Sequence, residues 1–243
     1  MNHYNYKKLE WDTNYFGCES SRIDVVEELT VSDIQDIREL IKLDEFITLT
    51  NPKGMVGNNK LITHELGAYL VDINVQLSNV KMGLSKTQKS EFIHIQNNYA
   101  VNEDIVELVK QAFISSRFYN DATISREKIS GVYTHWVKNA FNKEEKYFCV
   151  FDQGNGVEGF ILFSIAGQEF VTIELIAVND KYRKNGIGTQ LIRGLYHYCT
   201  KHGYSTVNVG TQVENINALN FYIKNELKIM DIRYIYHLWK KEQ

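Results

Sequence analysis

The chain reads Tyr182-Arg183-Lys184-Asn185-Gly186-Ile187-Gly188-Thr189 between an apolar run, residues 173–178, and an amphipathic segment that begins at Leu191. A short apolar run predicts a buried strand, and apolar residues at helical spacing predict a helix. The quoted stretch is therefore predicted to be a tight glycine turn that leads from a strand into the first turn of a helix.

The predicted turn has the properties of an anion-binding site. Backbone N–H groups in the first turn of a helix have no partner within the helix, and the helix dipole adds partial positive charge there. Gly186 and Gly188 have no Cβ, so a diphosphate can approach the backbone closely. Arg183 and Lys184 add formal positive charge. The stretch thus predicts a diphosphate-binding turn, with an ordinary turn that carries solvated basic residues as the alternative.

The spacing of the glycines separates the known diphosphate motifs. A nucleotide P-loop needs a lysine between its last glycine and Ser/Thr, and Gly188-Thr189 has none; a dinucleotide fingerprint needs a third glycine, and Leu191 stands there. The remaining pattern, Arg183-x-x-Gly186-x-Gly188, resembles the coenzyme A signature of the GNAT acetyltransferase superfamily. The resemblance implies acetyl-CoA as cofactor, with contacts from Ile176, Ala177, Val178, Arg183, Lys184, Asn185, Gly186, Ile187, Gly188 and Thr189.

A second motif follows where this superfamily would place it. Residues 205–211 alternate like a strand, and Asn215 then begins a helix that reads Asn-x-x-Ala-x-x-Phe-Tyr. The resemblance implies that Asn215 and Ala218 contact the pantetheine arm and that Tyr222 lies beside the coenzyme sulfur. A half-buried core aromatic is the alternative for Tyr222.

Composition narrows the class of protein. The 243 residues are 44% apolar and 23% charged, with a formal net charge of −3 and three scattered cysteines. This supports one large or two small domains and gives no electrostatic case for nucleic acid. We expect no metal site, no membrane span, reduced thiols and a cytoplasmic protein.

The linker-like stretch 81–91 suggests a boundary between a small N-terminal α/β domain, residues 1–91, and a larger domain, residues 92–243. In the larger domain, the predicted order β-α-α-β-β-β-α-β-α-β-β is that of the GNAT acyl-CoA N-acyltransferase fold. The fold class is thus α/β (α+β), with a mixed sheet flanked by helices. Residues 66–75 parallel residues 226–235, which suggests a partial GNAT-like half at the N-terminus, although chance explains the likeness nearly as well.

Three further groups of residues resemble the dTDP-fucosamine acetyltransferase family, which also has a small domain before the GNAT domain. They are residues 11–17, residues 112–119 with 133–140, and residues 209–212 with 236–239. This resemblance implies N-acetylation of a nucleotide-activated amino sugar, namely the 4-amino group of a dTDP-amino-dideoxy sugar. A protein N-terminus, a polyamine or an antibiotic as acceptor, and a non-catalytic CoA-binding regulatory module, remain alternatives. A homodimer is compatible with the sequence.

The chemistry of acetyl transfer assigns candidate catalytic residues. Tyr222 is the candidate general acid for the leaving thiolate, because the pKa of a phenol is about 10 and that of a thiol about 8.5. Glu174, on the strand before the turn, and His135, on a predicted helix, are candidate bases. A solvent-facing strand residue and a packed histidine are the respective alternatives, and a partly neutral amine would need no base.

Four residues are candidates for binding the acceptor. Arg117 and Asp121 lie in the predicted loop between the first two helices of the larger domain, which usually walls the acceptor pocket in this superfamily. Arg117 could grip a diphosphate bidentately, with a surface ion pair as the alternative. Asp12 and Phe16 could reach the pocket from the N-terminal segment, although structural roles in a turn would suit them as well.

Overall fold

The computed structural model describes residues 3–52, 54–79, 90–113, 117–167 and 169–240. Within these residues, ten strands form one mixed sheet in the order β1-β2-β3-β10-β4-β9-β8-β7-β6-β5. The strands are β1 Tyr4–Lys8, β2 Ser20–Val25, β3 Phe46–Pro52, β4 Tyr69–Asn79, β5 Ile93–Asn97, β6 Lys146–Asp152, β7 Val157–Ala166, β8 Phe170–Val178, β9 Thr206–Gln212 and β10 Lys228–Trp239.

Helices cover both faces of this sheet, as the predicted mixed fold requires. They are α1 Glu10–Phe16, α2 Val31–Leu40, α3 Val56–Lys60, α4 Glu103–Ala112, α5 Arg126–Ala140, α6 Ile187–His202 and α7 Ile216–Lys224. A π-helical turn, Leu61–Glu65, continues α3, and a 3₁₀ turn, Asp180–Tyr182, precedes α6.

Local sequence sets where these helices begin. The Ser125 side chain accepts a hydrogen bond from the Lys128 N–H and caps α5, and Asn102 caps α4 in the same way. Such side chains satisfy N–H groups that the first turn leaves without a partner. The predicted order of strands and helices in the larger domain is confirmed from β5 to α7.

The alternation of side chains along the strands builds a core on each face of the sheet. Phe148 and Val150 of β6 pack with α4 and α5, whereas Cys149 and Phe151 pack on the other face with α6. Smaller clusters lie under α2 and around α1. The sheet is thus held from both sides where the predicted coenzyme turn enters α6.

The prediction of two strands after the last helix is wrong. One long strand, β10, follows α7, and the position between β9 and β10 is filled by β4 from the N-terminal segment. β4 pairs antiparallel with β9 from Asn74↔Gln212 to Asn79↔Val207, and β10 pairs with both β4 and β3. This pairing joins residues more than a hundred positions apart, so local sequence patterns could not predict it.

The N-terminal segment therefore contributes strands to the same sheet as the C-terminal segment. Residues 81–89 of the predicted linker, 81–91, lie outside the described residues, and the division at residues 91 and 92 stays a prediction. Sequence patterns also did not predict β1 and α1, which are only five and seven residues long. No helix in the described part of the chain is both long and apolar enough to cross a membrane.

Candidate active site

The centre of the sheet opens where two parallel strands separate. β8 and β9 are paired from Phe170↔Thr206 to Ile173↔Val209, yet β8 continues to Val178. A bulge in the pairing of β8 with β7 lies at the same level, between Ile173 and Leu175. Bulges bend a strand and re-aim its side chains. The backbone of β8 beyond Ile173 is thus released from β9, and this stretch includes residues 176–178, which the resemblance assigned to the coenzyme.

The turn after β8 leaves the N-terminus of α6 available to a ligand. Gly186 is the N-cap at φ 80°, and among the described residues no side chain caps this helix. Lys184 also has a positive φ, 67°, so the left-handed backbone of the turn includes this charged residue. A backbone site of this kind, with the dipole of a 16-residue helix behind it, suits a diphosphate.

Glycine is required at Gly186 and at Gly188 for different structural reasons. A Cβ on Gly186 would meet nothing within 4 Å, so its positive φ is what demands glycine. A Cβ on Gly188 would come to 3.0 Å from the ring of Phe221 on α7. The second glycine therefore allows α6 and α7 to approach, in addition to the role in ligand access that the sequence suggested.

The Arg183 side chain is bound by other groups of the same turn. Its guanidinium lies 2.7 Å from Asp180 Oδ1, and its Nε donates to the Val178 carbonyl oxygen at 3.4 Å. The side chain is about half exposed, and a surface pair of this kind contributes little to stability.

A single cavity of about 1010 Å³ extends from this turn to the N-terminal segment. Of the predicted coenzyme contacts, the cavity is lined by all except Asn185. The other lining residues include Trp11, Asp12, Arg22, Asp72, Asn74, Phe113, Arg117, Tyr133, Trp136, Lys143, Lys146, Glu174 and Gln212.

The second motif lies on the opposite wall of this cavity. The Asn215 Oδ1 accepts a hydrogen bond from the Ala218 N–H at 3.1 Å, so Asn215 caps α7 as predicted. Tyr222 is 4% exposed, and burial raises the pKa of its phenol above the ordinary value. The phenol therefore carries its proton at neutral pH, as a general acid must, although burial makes it a weaker acid than a free tyrosine.

The structure separates the two candidate bases. Glu174 lines the cavity, but its carboxylate lies 2.5 Å from Lys146 Nζ and accepts a hydrogen bond from Trp136 Nε1 at 3.1 Å. His135 is absent from the cavity wall and packs instead against the rings of Trp11 and Tyr15. The structure therefore does not bring His135 to the site, because Trp136, the next residue on α5, takes the side that faces the cavity.

Two of the four candidate acceptor residues meet in the cavity. Arg117 Nη2 lies 3.8 Å from Asp12 Oδ1, and its guanidinium carbon lies 4.6 Å from the centre of the Phe118 ring. Burial raises the pKa of Asp12, and the charge of Arg117 opposes this rise. Among the described residues, Asp12 Oδ1 and Arg117 Nε are buried without a hydrogen-bond partner. Such groups are costly to bury, so a polar ligand would stabilise this place.

The structure places the other two candidates in the protein interior. Asp121 accepts hydrogen bonds from the Tyr69 hydroxyl at 2.6 Å, the Trp239 Nε1 at 2.8 Å and the His237 Nδ1 at 2.6 Å. It is 1% exposed and its pKa is lowered: burial acts to raise it, but these hydrogen bonds outweigh that effect. Phe16 packs in an aromatic cluster with Phe46. Neither side chain lines the cavity, so the expectation that Asp121 and Phe16 bind the acceptor is not supported by this geometry.

The cavity also contains residues that sequence patterns missed. Asp72 and Asn74 come from β4, and Lys146 comes from β6. Asp72 interrupts an apolar strand, Tyr69-Leu70-Val71-Asp72-Ile73, which is a signal for a special role. The sequence could not place it, because β4 reaches the site only through its non-local pairing with β9.

Comparisons with known proteins identify the family to which this domain belongs. Residues 106–225 match the model of the acetyltransferase (GNAT) family. The chain therefore carries a GNAT acetyltransferase domain, and it is an N-acetyltransferase of the acyl-CoA-dependent class. The predicted family resemblance and fold class are thereby confirmed.

Two relatives and two solved structures are informative. The chain is 24% identical over 204 residues to the spore coat polysaccharide biosynthesis protein SpsD of Bacillus subtilis (strain 168), covering 84% of this chain and 69% of that protein. It is 24% identical over 168 residues to the uncharacterized N-acetyltransferase MJ1207 of Methanocaldococcus jannaschii, covering 66% and 71%.

The solved structures are similar in fold alone. A functionally unknown conserved protein from Staphylococcus epidermidis ATCC 12228 has a TM-score of 0.63 at 12% identity, covering 92% of this chain and 85% of that one. The tandem GNAT protein from the clavulanic acid biosynthesis pathway has a TM-score of 0.59 at 10% identity, covering 93% and 77%.

Proposed function

We propose that this enzyme transfers the acetyl group of acetyl-CoA to the 4-amino group of a dTDP-amino-dideoxy sugar, dTDP-4-amino-4,6-dideoxygalactose being the first candidate. The observation that carries the proposal is that one cavity contains both a coenzyme-type turn and a partly buried arginine, Arg117, beside aromatic rings. The name of the relative SpsD, a polysaccharide biosynthesis protein, supports the same class of acceptor.

The coenzyme is assigned to the C-terminal wall of the cavity. Its diphosphate would be held by the N–H groups at the start of α6 and by the charge of Lys184. Its pantetheine arm would lie in the gap between β8 and β9, where Asn215 and Ala218 line the wall. Asn215 uses its Oδ1 to cap α7, which leaves its amide N–H groups for this arm.

Direct attack of the amine on the thioester carbonyl fits the chemistry of this wall. Negative charge develops on the carbonyl oxygen, and fixed N–H donors stabilise it best. The backbone released from β9 at residues 176–178 would supply them. Tyr222, buried and protonated, would then give its proton to the leaving thiolate.

The acceptor is assigned to the part of the cavity built with the N-terminal segment. Arg117 has unsatisfied hydrogen-bonding capacity there, and Arg22 adds a second guanidinium to the wall. Guanidinium groups bind phosphates bidentately. Trp11 and Trp136 offer flat faces on which a sugar or a base can pack.

Mass spectrometry of the products tests the proposal. The protein is incubated with acetyl-CoA and a panel of dTDP-4-amino sugars, with the matching 4-hydroxy sugars as controls. We expect one added acetyl group on an amino sugar and none on its hydroxy counterpart. Acetylation of peptides, polyamines or aminoglycosides instead would refute the sugar, and acetyl-CoA binding without turnover on any amine would indicate a regulatory module.

A further inference from the structure

We propose that Asp72 receives the ammonium group of the acceptor and removes a proton from it, so that the free amine can attack. This assignment rests on the proposed acetyl transfer to an amine but not on the identity of the sugar. It differs from the sequence-based assignment of the base to Glu174 or His135.

The position of Asp72 follows from the way β4 enters the sheet. β4 pairs with β9 only as far as Asn74↔Gln212, and one further bond joins the Val213 N–H to the Ile73 carbonyl oxygen at 2.8 Å. Asp72 therefore lies just beyond the end of β9, beside the loop that leads into α7. Its side chain lines the same cavity as Tyr222, and the residue is 7% exposed.

The charges of the cavity distinguish Asp72 from the other two carboxylates. Lys146 holds Glu174 at 2.5 Å, and Arg117 lies 3.8 Å from Asp12. Within the described part of the chain, no cation lies within 4.0 Å of the Asp72 carboxylate. A buried carboxylate without a cation is unfavourable, and a ligand ammonium would complete the pair.

The surroundings of Asp72 suit proton exchange near neutral pH. Burial raises the pKa of Asp72 to about 6, while the charge of Arg117 and hydrogen bonds from the Ile73 N–H and the Asn74 side chain oppose the rise. Glu214, before α7, adds to it. A base is most effective when its pKa lies near the working pH.

The remaining charged groups around Asp72 come from other elements. Asp12 of α1 and Arg22 of β2 line the same cavity, and Arg22 is paired with Asp24 at 2.6 Å. From β10, the residue paired with Asp72 is Ile235, which is uncharged. Asp12 and Asp72 both have a raised pKa, but Asp12 has Arg117 at 3.8 Å, whereas Asp72 has no cation within 4.0 Å among the described residues.

The proposed step balances in atoms and charge. The ammonium gives one proton to the Asp72 carboxylate, and the resulting amine forms the new N–C bond with the thioester carbonyl. The C–S bond then breaks, the thiolate takes the phenolic proton of Tyr222, and the nitrogen returns a proton to the phenolate. Asp72 finally releases its proton to water, so the products are the amide, CoA as its thiol and one proton.

The test compares the pH dependence of kcat/KM for the wild type, Asp72→Asn and the control Asp231→Asn, with dTDP-4-amino-4,6-dideoxygalactose as acceptor. We expect Asp72→Asn to keep its affinity for acetyl-CoA and to lose about 10²-fold in kcat/KM at pH 7. Its rate should rise with pH, by up to tenfold per pH unit, and level off at the pKa of the amine, because the solvent then deprotonates the amine. Asp231→Asn removes a carboxylate from β10 outside the cavity, where Asp231 pairs with Arg233 at 3.3 Å, and should keep the flat wild-type profile above pH 6.

A second pair of acceptors separates this inference from the sugar assignment. If the wild type acetylates hydroxylamine but not the dTDP-amino sugar, the sugar is refuted and Asp72 is tested with simple amines. Asp72→Asn should then lose turnover of ethanolamine, an ammonium at pH 7, far more than turnover of hydroxylamine, which is neutral. Equal losses with both amines, or an Asp72→Asn profile parallel to the wild type, would overturn the role of Asp72.

Discussion

The two ends of this chain repeat one order of elements but differ in what they can bind. Residues 20–79 run β2-α2-β3-α3-β4, and residues 170–239 run β8-α6-β9-α7-β10. In each segment the first two strands are parallel neighbours, and the third strand pairs with the other segment. β4 and β10 lie side by side at the centre, so the arrangement is close to two-fold symmetric.

The turn into the helix is the first difference. After β2 the chain reads Val26-Glu27-Glu28-Leu29-Thr30, which contains no glycine and two acidic residues. Thr30 and Asp33 form a capping box that satisfies the N-terminus of α2 from within. In the other segment, Gly186 leaves the N-terminus of α6 for a ligand. The helix N-terminus is therefore without a side-chain cap in one segment and satisfied by side chains in the other, which is why we propose the anion site at α6 alone.

The gap between the parallel strands is the second difference. β2 and β3 stay paired to Asp24↔Thr50, close to the ends of both strands, whereas β8 and β9 part at Ile173↔Val209. Beside β3, Asn58 accepts from the Leu29 N–H at 2.7 Å and donates to the Glu27 carbonyl oxygen at 3.1 Å. Topology alone does not make a binding site; the difference lies in a few residues that close one cleft and leave the other free.

The largest effect is expected from a tyrosine in the C-terminal cleft. Tyr222→Phe should lower kcat roughly 10²-fold or more with little change in acetyl-CoA affinity, because it removes the proposed proton donor. Tyr236→Phe is the matched control: this buried tyrosine donates to Asn59 Oδ1 at 2.7 Å on the N-terminal side. Steady-state kinetics should show the loss of kcat in Tyr222→Phe and not in Tyr236→Phe. Unchanged turnover in Tyr222→Phe would remove Tyr222 from the mechanism.

The cleft between β2 and β3, which Asn58 closes, should matter for the stability of the protein and not for coenzyme binding. Asn58 is 1% exposed, and Asn58→Ala leaves the Leu29 N–H and the Glu27 carbonyl oxygen without their partner. We expect a loss of about 2–3 kcal/mol in the free energy of unfolding, measured by urea denaturation, with acetyl-CoA affinity unchanged. Asn215→Ala, at the cap of α7, should cost about 1 kcal/mol and also weaken coenzyme binding.

Two glycines with nearly the same backbone conformation give a smaller and sharper test. Gly186 and Gly203, at the start and the end of α6, both have φ 80°, and a Cβ on either would meet nothing within 4 Å. Alanine at either position should cost about 1 kcal/mol of stability. Calorimetry should show acetyl-CoA affinity about tenfold weaker for Gly186→Ala alone. Equal affinity in both variants would place the diphosphate elsewhere.

The part of the site that sequence could predict is the part built from consecutive residues. The turn around Gly186 and the cap at Asn215 are local features, and the structure places both on the cavity as predicted. The acceptor side depends on β4 and α1, which reach the site through non-local contacts, so Asp72 was missed. Asp121 was assigned to the pocket from its loop position, whereas its partners Tyr69 and His237 bury it.

The exchange of β4 and β10 between the segments has a consequence for how the chain is made. During synthesis, β3 has to wait for β10, which emerges nearly two hundred residues later, before its second edge is covered. β4 likewise waits for both of its neighbours, β9 and β10. Sheets completed by such distant strands form slowly, and their uncovered edges are prone to aggregation. On the ribosome, the nascent N-terminal segment should therefore depend on chaperones until the final strand has been released.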